Sequence, residues 1–103
     1  MIAVKYTPIG AEHVEAVVAW WHANRPGSTK FIDELERLVQ LLAAAPGLGL
    51  QFKRGRHRRV RRVLLGESEQ NVYYVHDAKN EIVWITAVWG AKRGKGPRLV
   101  LPT

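Results

Sequence analysis

The sequence contains no cysteine, which excludes a disulfide framework and thiolate chemistry. Its four histidines are far apart, and no two of them stand three or four residues apart on a predicted helix, as metal ligands often do. We therefore expect neither a metal site nor a cofactor, and we expect His13 and His22 to be solvated residues of a helix. A chain without cysteine is typical of the cytoplasm, where we expect this protein to act.

Long hydrophobic runs are lacking as well. The apolar stretches are short or interrupted by charge, so no segment is predicted to span a membrane. The residues after Met1 have neither the basic start nor the long apolar core of a signal peptide. The nearest glycine pattern to a phosphate-binding loop, at residues 47–49, follows a predicted helix where such a loop needs a strand. No nucleotide-binding motif is therefore predicted. No serine stands in a recognisable serine-hydrolase motif either.

Positive charge is what the sequence has in excess, with a net charge of +7 over 103 residues. Residues 1–50 carry four Lys or Arg against five Asp or Glu, whereas residues 51–103 carry twelve against four. Seven of the ten residues at 53–62 are Lys or Arg. This asymmetry favours nucleic acid or an acidic protein segment as partner; a membrane surface is disfavoured because the basic run leads into strand-like sequence.

Hydrophobic periodicity predicts that the first half of the chain is mainly helical. A short β-prone run at residues 2–7 is stopped by Pro8. Apolar residues then recur at helical spacing over residues 9–24. A second helix is expected to be capped by Ser28 or Thr29 and to end in the alanines at 43–45. Its apolar stripe consists of Phe31, Leu35, Leu38, Val39 and Leu42.

Three strands are predicted in quick succession at residues 59–65, 71–76 and 82–89. Their short polar connections predict an antiparallel meander. With the first strand, this makes an α+β fold in one domain, residues 1–103, in which an antiparallel helix hairpin packs on a three- to four-stranded antiparallel sheet. The apolar residues 99–101 are expected to dock back onto it.

The two faces of the first strand of the meander are not cleanly apolar and polar. Alternation places Val60, Arg62 and Leu64 on one side, and Arg59, Arg61, Val63 and Leu65 on the other. We therefore expect a bulge or twist near Arg61 and Arg62 that re-aims the arginines.

Aromatic residues follow the basic run, and the pattern allows two interpretations. In the first, the basic and aromatic side chains together form a cationic sheet face with stacking platforms for nucleic acid, or a metal-free site that cleaves RNA. Alternatively, Trp84 is a core residue and part of the arginines only solvate a sheet edge. The residues concerned are Arg58, Arg59, Arg61, Arg62, Tyr73, Tyr74, Trp84 and Trp89.

Four segments, in this order, resemble the RelE/ParE toxin superfamily of bacterial type II toxin-antitoxin systems. They are FIDELE at 31–36 with LAAAPGLG at 42–49, RVRRV at 59–63, VYYVHD at 72–77 and ITAVWGAKRG at 85–94. The resemblance covers nearly the whole chain. The last segment, together with Pro97, is closer to ParE-like members than to RelE proper.

The resemblance implies a toxin that is neutralised by a cognate antitoxin with a flexible acidic segment, and that reaches operator DNA only through this antitoxin. ParE-like members act on DNA gyrase, whereas RelE-like members cleave mRNA on the ribosome. Gyrase inhibition is favoured by the order of the segments and by the sequence WGAKRG at 89–94. A nuclease site is disfavoured, because many relatives carry a basic residue after the tyrosine pair, where this chain has Val75 and His76. A ribosome-dependent mRNA endonuclease and a non-toxic nucleic-acid-binding module stay open as alternatives, and with them the question of whether the protein is an enzyme.

Site residues follow from the same resemblance. Of the basic run, residues 59–62 begin a strand and are better candidates than residues 53–58, which we predict to form a basic loop. A RelE-like catalytic set would comprise Arg59, Arg62, Tyr74, Lys92 and Arg93. The expected antitoxin- or target-binding residues are Arg59, Arg61, Arg62, Leu35, Leu38, Leu42, Trp89, Lys92 and Arg93.

Overall fold

A computed structural model describes residues 2–52 and 59–102. In chain order its elements are β1 (Ala3–Tyr6), α1 (Pro8–Asn24), α2 (Lys30–Ala44), β2 (Leu50–Gln51), β3 (Val60–Leu65), β4 (Gln70–Asp77) and β5 (Ile82–Gly90). The predicted elements are confirmed to within one or two residues. The predicted basic loop at residues 53–58 lies outside the described residues. No helix in the described part of the chain is long and apolar enough to cross a membrane.

The strands form one sheet in the order β1-β5-β4-β3-β2. The antiparallel meander of β3, β4 and β5 is as predicted. The sheet differs from the prediction in having five strands and in being mixed, because β1 pairs with β5 in parallel. β2 escaped prediction because two residues are too short to show a period. The direction of β1 depends on a partner almost eighty residues away, about which the local sequence carries no information.

The irregularity expected in β3 lies elsewhere. β3 and β4 pair without interruption from Val60 opposite Val75 to Leu65 opposite Gln70, so the prediction of a bulge near Arg61 and Arg62 was wrong. The register shifts instead between β4 and β5, and Thr86 is the extra residue there. Its hydroxyl bonds to the carbonyl oxygen of Tyr73 at 3.3 Å. This bulge reverses the alternation of β5, so that later residues can keep facing the helices.

The sheet is buried on both faces, which explains the continuous apolar run in β4. On one face the stripe of α2 packs with residues of β3, β4 and β5; this core comprises Phe31, Leu35, Leu38, Leu42, Leu65, Val72, Tyr74, Val83, Ile85 and Val88. On the other face, the C-terminal segment covers a smaller core, as predicted. That core is made of Val60, Tyr73, Val75 and Ala87, against which Phe52, Trp89, Leu99 and Leu101 pack.

Helix α1 lies close against β5. Thr7 is its N-cap, with a hydroxyl oxygen that accepts from the Gly10 amide at 3.0 Å, and Pro8 occupies the first turn, where no amide donor is needed. The Thr7 amide donates to the carbonyl oxygen of Ile85 at 3.0 Å. A Cβ atom at Gly10 would overlap that same carbonyl oxygen, so glycine permits the close approach. α1 thus covers β5 where β1 ends.

The two predicted cap residues, Ser28 and Thr29, both lie at the N-terminus of α2 and act in different ways. Thr29 does occupy the N-cap position, but its hydroxyl donates to the Asp33 carboxylate at 2.8 Å and accepts nothing from the helix backbone. The Ser28 hydroxyl instead accepts from the Lys30 amide at 3.4 Å. Asp33, in the first turn, adds a negative charge at the positive end of the helix dipole.

Candidate binding site

The arginines of β3 are divided between the two faces of the sheet. Arg61 pairs with Tyr74 on the helix-facing side and is half-buried, and its Nη1 donates to the carbonyl oxygen of Gly49 at 2.8 Å. Arg62 is exposed on the opposite face, across from Tyr73, and Arg59 is exposed just before the strand. The described arginines of the set therefore do not form the single cationic face suggested by the sequence, and of these three Arg59 and Arg62 are exposed to a partner.

The side chain of Tyr74 is buried and bonded to backbone groups, which gives it a structural role. The ring is fully buried, and its hydroxyl donates to the carbonyl oxygen of Pro46 at 2.7 Å while accepting from the Gly49 amide at 2.8 Å. Burial raises the pKa of this phenol, against the opposing effects of the Gly49 hydrogen bond and the charge of Arg61. A Cβ atom at Gly49 would lie 2.9 Å from the Tyr74 ring, so the contact requires glycine. The hydroxyl ties the α2–β2 connection to the sheet.

The three leucines proposed as partner anchors belong to the core. Leu35, Leu38 and Leu42 are at most 4% exposed and pack between α2 and the sheet. They can reach a partner only if α2 leaves the sheet. The exposed leucines nearby are Leu41, Leu48 and Leu50, none of which belongs to the predicted set.

Trp89, Lys92 and Arg93 lie together at the end of β5. The Arg93 guanidinium stacks on the Trp89 indole, with its Cζ atom 4.0 Å from the ring centroid. The indole nitrogen in turn donates to the carbonyl oxygen of Lys95 at 2.6 Å. Lys92 pairs with Glu69 at 3.4 Å, and both side chains are largely exposed. Stacking therefore holds the Arg93 charge in a fixed direction without a carboxylate.

These three residues line a groove of about 1010 Å³ between α1, the β3–β4 connection and the end of β5. We call it the α1–β5 groove. Its aromatic wall is formed by His13, Trp20, Trp21 and Trp89. Its charged lining consists of Arg25, Lys30, Glu67, Glu69, Lys92 and Arg93.

Sequence reasoning missed the contribution of α1 to this groove. The signal that it overlooked is the pair Trp20-Trp21, because two consecutive helical residues cannot both point into one core. Trp21 packs against the helix-side core, whereas Trp20 is 52% exposed. The indole nitrogen of Trp21 is buried without a hydrogen-bond partner among the described residues, which costs about 1–3 kcal/mol for such a donor.

His13 is not the solvated residue that we expected. Its Nδ1 accepts a hydrogen bond from the Val88 amide at 3.1 Å, on the β5 edge that β1 leaves unpaired, and its ring lies 5.5 Å from that of Trp89. Burial lowers the pKa of His13, the charge of Arg93 lowers it further, and Glu12 partly opposes both. A neutral imidazole is what this hydrogen bond requires, since a protonated Nδ1 cannot accept.

The candidate catalytic residues do not converge on one point. Along the sheet, Val60 pairs with Val75 and Val75 with Trp84, whereas Leu65 pairs with Gln70 and Gln70 with Gly90. Arg59 therefore lies at one end of the sheet, while Lys92 and Arg93 follow the strand at the other end.

Trp84 is half-buried near the end of the sheet where Arg59 lies, with the Lys5 ammonium 6.0 Å from its ring centroid. Within residues 2–52 and 59–102, no three acidic or histidine side chains are grouped to hold a metal ion.

The helix hairpin on a mixed five-stranded sheet is the fold of the RelE/ParE toxins, as the sequence resemblance predicted. A chain of the chromosomal ParDE toxin-antitoxin system from P. aeruginosa has a TM-score of 0.68 to this structure at 16% identity, over 89% of this chain and 98% of that one. The isolated E. coli RelE toxin has a TM-score of 0.63 at 13% identity, over 92% and 89%.

A chain of the intact E. coli RelBE toxin-antitoxin complex has a TM-score of 0.64 at 13% identity, over 90% of this chain and all of that one. No protein-family model matches the sequence, and no curated protein matches it. The similarity is therefore one of fold, carried by almost the full length of each chain.

Proposed function

We propose that this protein is the toxin of a type II toxin-antitoxin system and is neutralised by a cognate antitoxin. The observation that carries the proposal is the fold match, which extends over 89% of the chain to a structure of a ParDE system at a TM-score of 0.68. Matches to RelE alone and to the RelBE complex support the same class. The excess of positive charge, +7, suits a partner with an acidic segment.

Within this class, inhibition of DNA gyrase is favoured over cleavage of mRNA. General acid–base catalysis needs side chains within hydrogen-bond reach of one reacting group. Here the hydroxyl of Tyr74 is buried and already bonded twice, and Arg59 lies at the far end of the sheet from Lys92 and Arg93. This dispersal supports an action through binding, with Arg62 of β3 and Arg59 just before it as exposed cations that are available to a target.

The test is inducible expression of the chain, alone and with the product of the adjacent reading frame. We expect growth arrest with induction of the SOS response and DNA double-strand breaks, relieved by the second protein. Purified protein is expected to inhibit supercoiling by gyrase. Mapped mRNA cuts within translated frames, without DNA breaks, would establish the RelE-like activity instead. Normal growth together with salt-sensitive binding of nucleic acid by the lone protein would establish a non-toxic binding module.

A further inference from the structure

Helix α1 has an apolar face that no other part of the described structure covers. Trp20 and Val18 on this face are 52% and 38% exposed. We call it the outer face of α1, and its exposed residues are Glu12, Glu15, Ala16, Val18, Ala19, Trp20, His22 and Ala23. Because the opposite side of the helix packs on β5, α1 is apolar on nearly all sides, and a helix of this kind is normally covered all round.

The side chains of the outer face are sorted by size and polarity. Ala16, Ala19 and Ala23 follow one another at spacings of three and four, so they form one row along the helix. Since each residue turns by about 100°, Trp20 lies on one flank of this row and Glu15 on the other. A row of small residues between larger flanks lets a second helix approach to about 8–10 Å between axes.

The charged residues of α1 have opposite signs at its two ends. Glu12 and Glu15 lie in its first half, whereas His22 is in the last turn and Arg25 is the C-cap residue. None of these four side chains forms an ion pair within residues 2–52 and 59–102. A partner of one sign would leave one end of the helix uncompensated, whereas an antiparallel copy of α1 compensates both ends.

A two-fold axis at the middle of this stretch brings opposite charges together. If the axis passes between residues 18 and 19, Glu12 of one copy lies opposite Arg25 of the second copy. Glu15 then lies opposite His22 of the second copy, and a histidine can donate a hydrogen bond in either protonation state. Each of these contacts occurs twice, once on each side of the axis.

The same axis brings the two Trp20 side chains together. A two-fold axis between antiparallel helices keeps equivalent flanks on the same side of the pair, so the Trp20 flank of one copy adjoins that of the other. Trp20 lies one and a half residues from this axis, which leaves the two positions about 4.5 Å apart along the helix direction at 1.5 Å per residue. The indole that is most exposed in the single chain is thereby covered by its own copy.

We propose that the protein associates with a second copy of itself through the outer face of α1, with the two helices antiparallel about a two-fold axis beside Ala19. The contact extends over one helix, about 26 Å long and about 10 Å wide. It is therefore at the small end of the range for specific interfaces, and we expect a dissociation constant of about 10–100 μM. This dimer does not depend on the proposed function.

The first test is sedimentation equilibrium of the purified chain at concentrations below and above this constant. We expect a monomer–dimer equilibrium that Ala19→Glu weakens at least about tenfold, because two carboxylates then face each other at the axis. Glutamate is a good helix former, so the variant is expected to fold, which thermal melts check. Gln40→Glu is the control, because it adds the same charge at an exposed position of α2.

The second test concerns the aromatic contact. We expect Trp20→Ala to weaken the dimer at least about tenfold, as is typical of an aromatic side chain near the centre of an interface. Leu41→Ala is the control, because Leu41 is similarly exposed, at 49%, but lies on α2. Equal dissociation constants for these two variants would contradict the proposed packing of Trp20.

The third test determines whether the helices are antiparallel. Glu15→Arg and His22→Glu each place like charges or unmatched groups opposite one another, and we expect each to weaken the dimer at least about threefold. The double variant restores the opposite pairing, and we expect it to regain most of the affinity at low salt. Glu81→Arg changes the net charge as Glu15→Arg does, at an exposed position outside α1, and is expected to have little effect.

The outcomes separate this inference from the proposed function. An unmodified chain that stays monomeric at every concentration overturns the dimer, even if it arrests growth and the adjacent protein relieves the arrest. Self-association that Ala19→Glu, Trp20→Ala and the charge variants all leave unchanged places the contact elsewhere and also overturns the inference. Self-association that these variants weaken, in a chain that does not arrest growth, supports the dimer and removes the toxin function.

Discussion

At the scale of single residues, Tyr74 shows how environment decides between chemistry and structure. The sequence places two tyrosines side by side, and alternation in a strand sends one to each face. Tyr74 faces the helices and joins two backbone groups of the α2–β2 connection, while Tyr73 packs edge-on against Phe52 in the second core. A phenol buried in this way stabilises a connection and does not reach a substrate.

Removing the Tyr74 hydroxyl tests this role. In Tyr74→Phe, the Gly49 amide and the Pro46 carbonyl lose their common partner, and we expect a loss of about 1–3 kcal/mol in the free energy of unfolding, measured in urea. Tyr73→Phe is the control, because the Tyr73 hydroxyl makes no hydrogen bond within the described residues. Growth arrest by Tyr74→Phe is expected to persist where the variant is folded. Arrest abolished in a fully folded variant would indicate a catalytic phenol.

At the scale of elements, Glu34 joins α2 to the β3–β4 connection. Its carboxylate accepts from the amides of Glu67 and Ser68, at 2.9 and 2.7 Å, and from the Ser68 hydroxyl. Burial raises the pKa of the Glu34 carboxyl, but these hydrogen bonds and the charge of Arg37 outweigh it, and the pKa lies below its ordinary value. A single side chain thereby fixes the connection that forms one side of the α1–β5 groove.

The depressed pKa predicts how this contact depends on pH. A carboxyl whose pKa is lower in the folded state stabilises the fold above its unfolded pKa, about 4.3, and loses that contribution as pH falls through the folded value. We expect Glu34→Gln to cost about 1–2 kcal/mol at pH 7, and the difference from the unmodified protein to shrink in urea titrations below about pH 4. Glu15→Gln, at an exposed position of α1, serves as control. A pH-independent difference would contradict the ionic role of Glu34.

At the scale of the whole molecule, the C-terminal segment completes the fold by closing the second face of the sheet. Leu99 and Leu101 pack against Val60, Tyr73, Val75 and Ala87, and Trp89 donates to the backbone of Lys95. These core residues are at most 4% exposed. The returning C-terminal segment therefore shields this face of the sheet from water. The two faces of the sheet thus differ: one carries the helices, and the other the C-terminal segment together with Phe52.

The alternation in this segment provides a matched test. We expect Leu99→Ala and Leu101→Ala combined to lower the free energy of unfolding by about 2 kcal/mol, as partly buried leucines lose apolar contact. Val100→Ala should change it by less than about 0.5 kcal/mol, because Val100 points away and is 42% exposed. Thermal and urea unfolding give both values. Equal effects of the two variants would show that the segment does not pack on the sheet in solution.

Much of this architecture could be predicted from short-range pattern. The periodicity of the helices, the meander of β3, β4 and β5, and the facing of Val60 and Leu65 follow from neighbours in the chain, and the structure confirms them. The candidate site was less predictable. Arg61 and Tyr74 carry side chains suited to catalysis, and only their bonds to Gly49 identify them as structural. Whether a polar side chain is buried and hydrogen-bonded depends on residues that are distant in the chain and close in the fold, which local sequence patterns do not show.

The sequence by itself therefore determined the type and order of every element except β2, and the resemblance to RelE/ParE toxins, because propensity, hydrophobic period and turn residues are local properties. Only the tertiary structure decided that β1 joins β5 in parallel, with Ala3 opposite Ile82, and that the extra residue of the sheet is Thr86. It also brought α1 and the end of β5 together into one groove. The contacts of β1 and α1 with β5 join residues about eighty positions apart, and their geometry is set by packing of the whole chain.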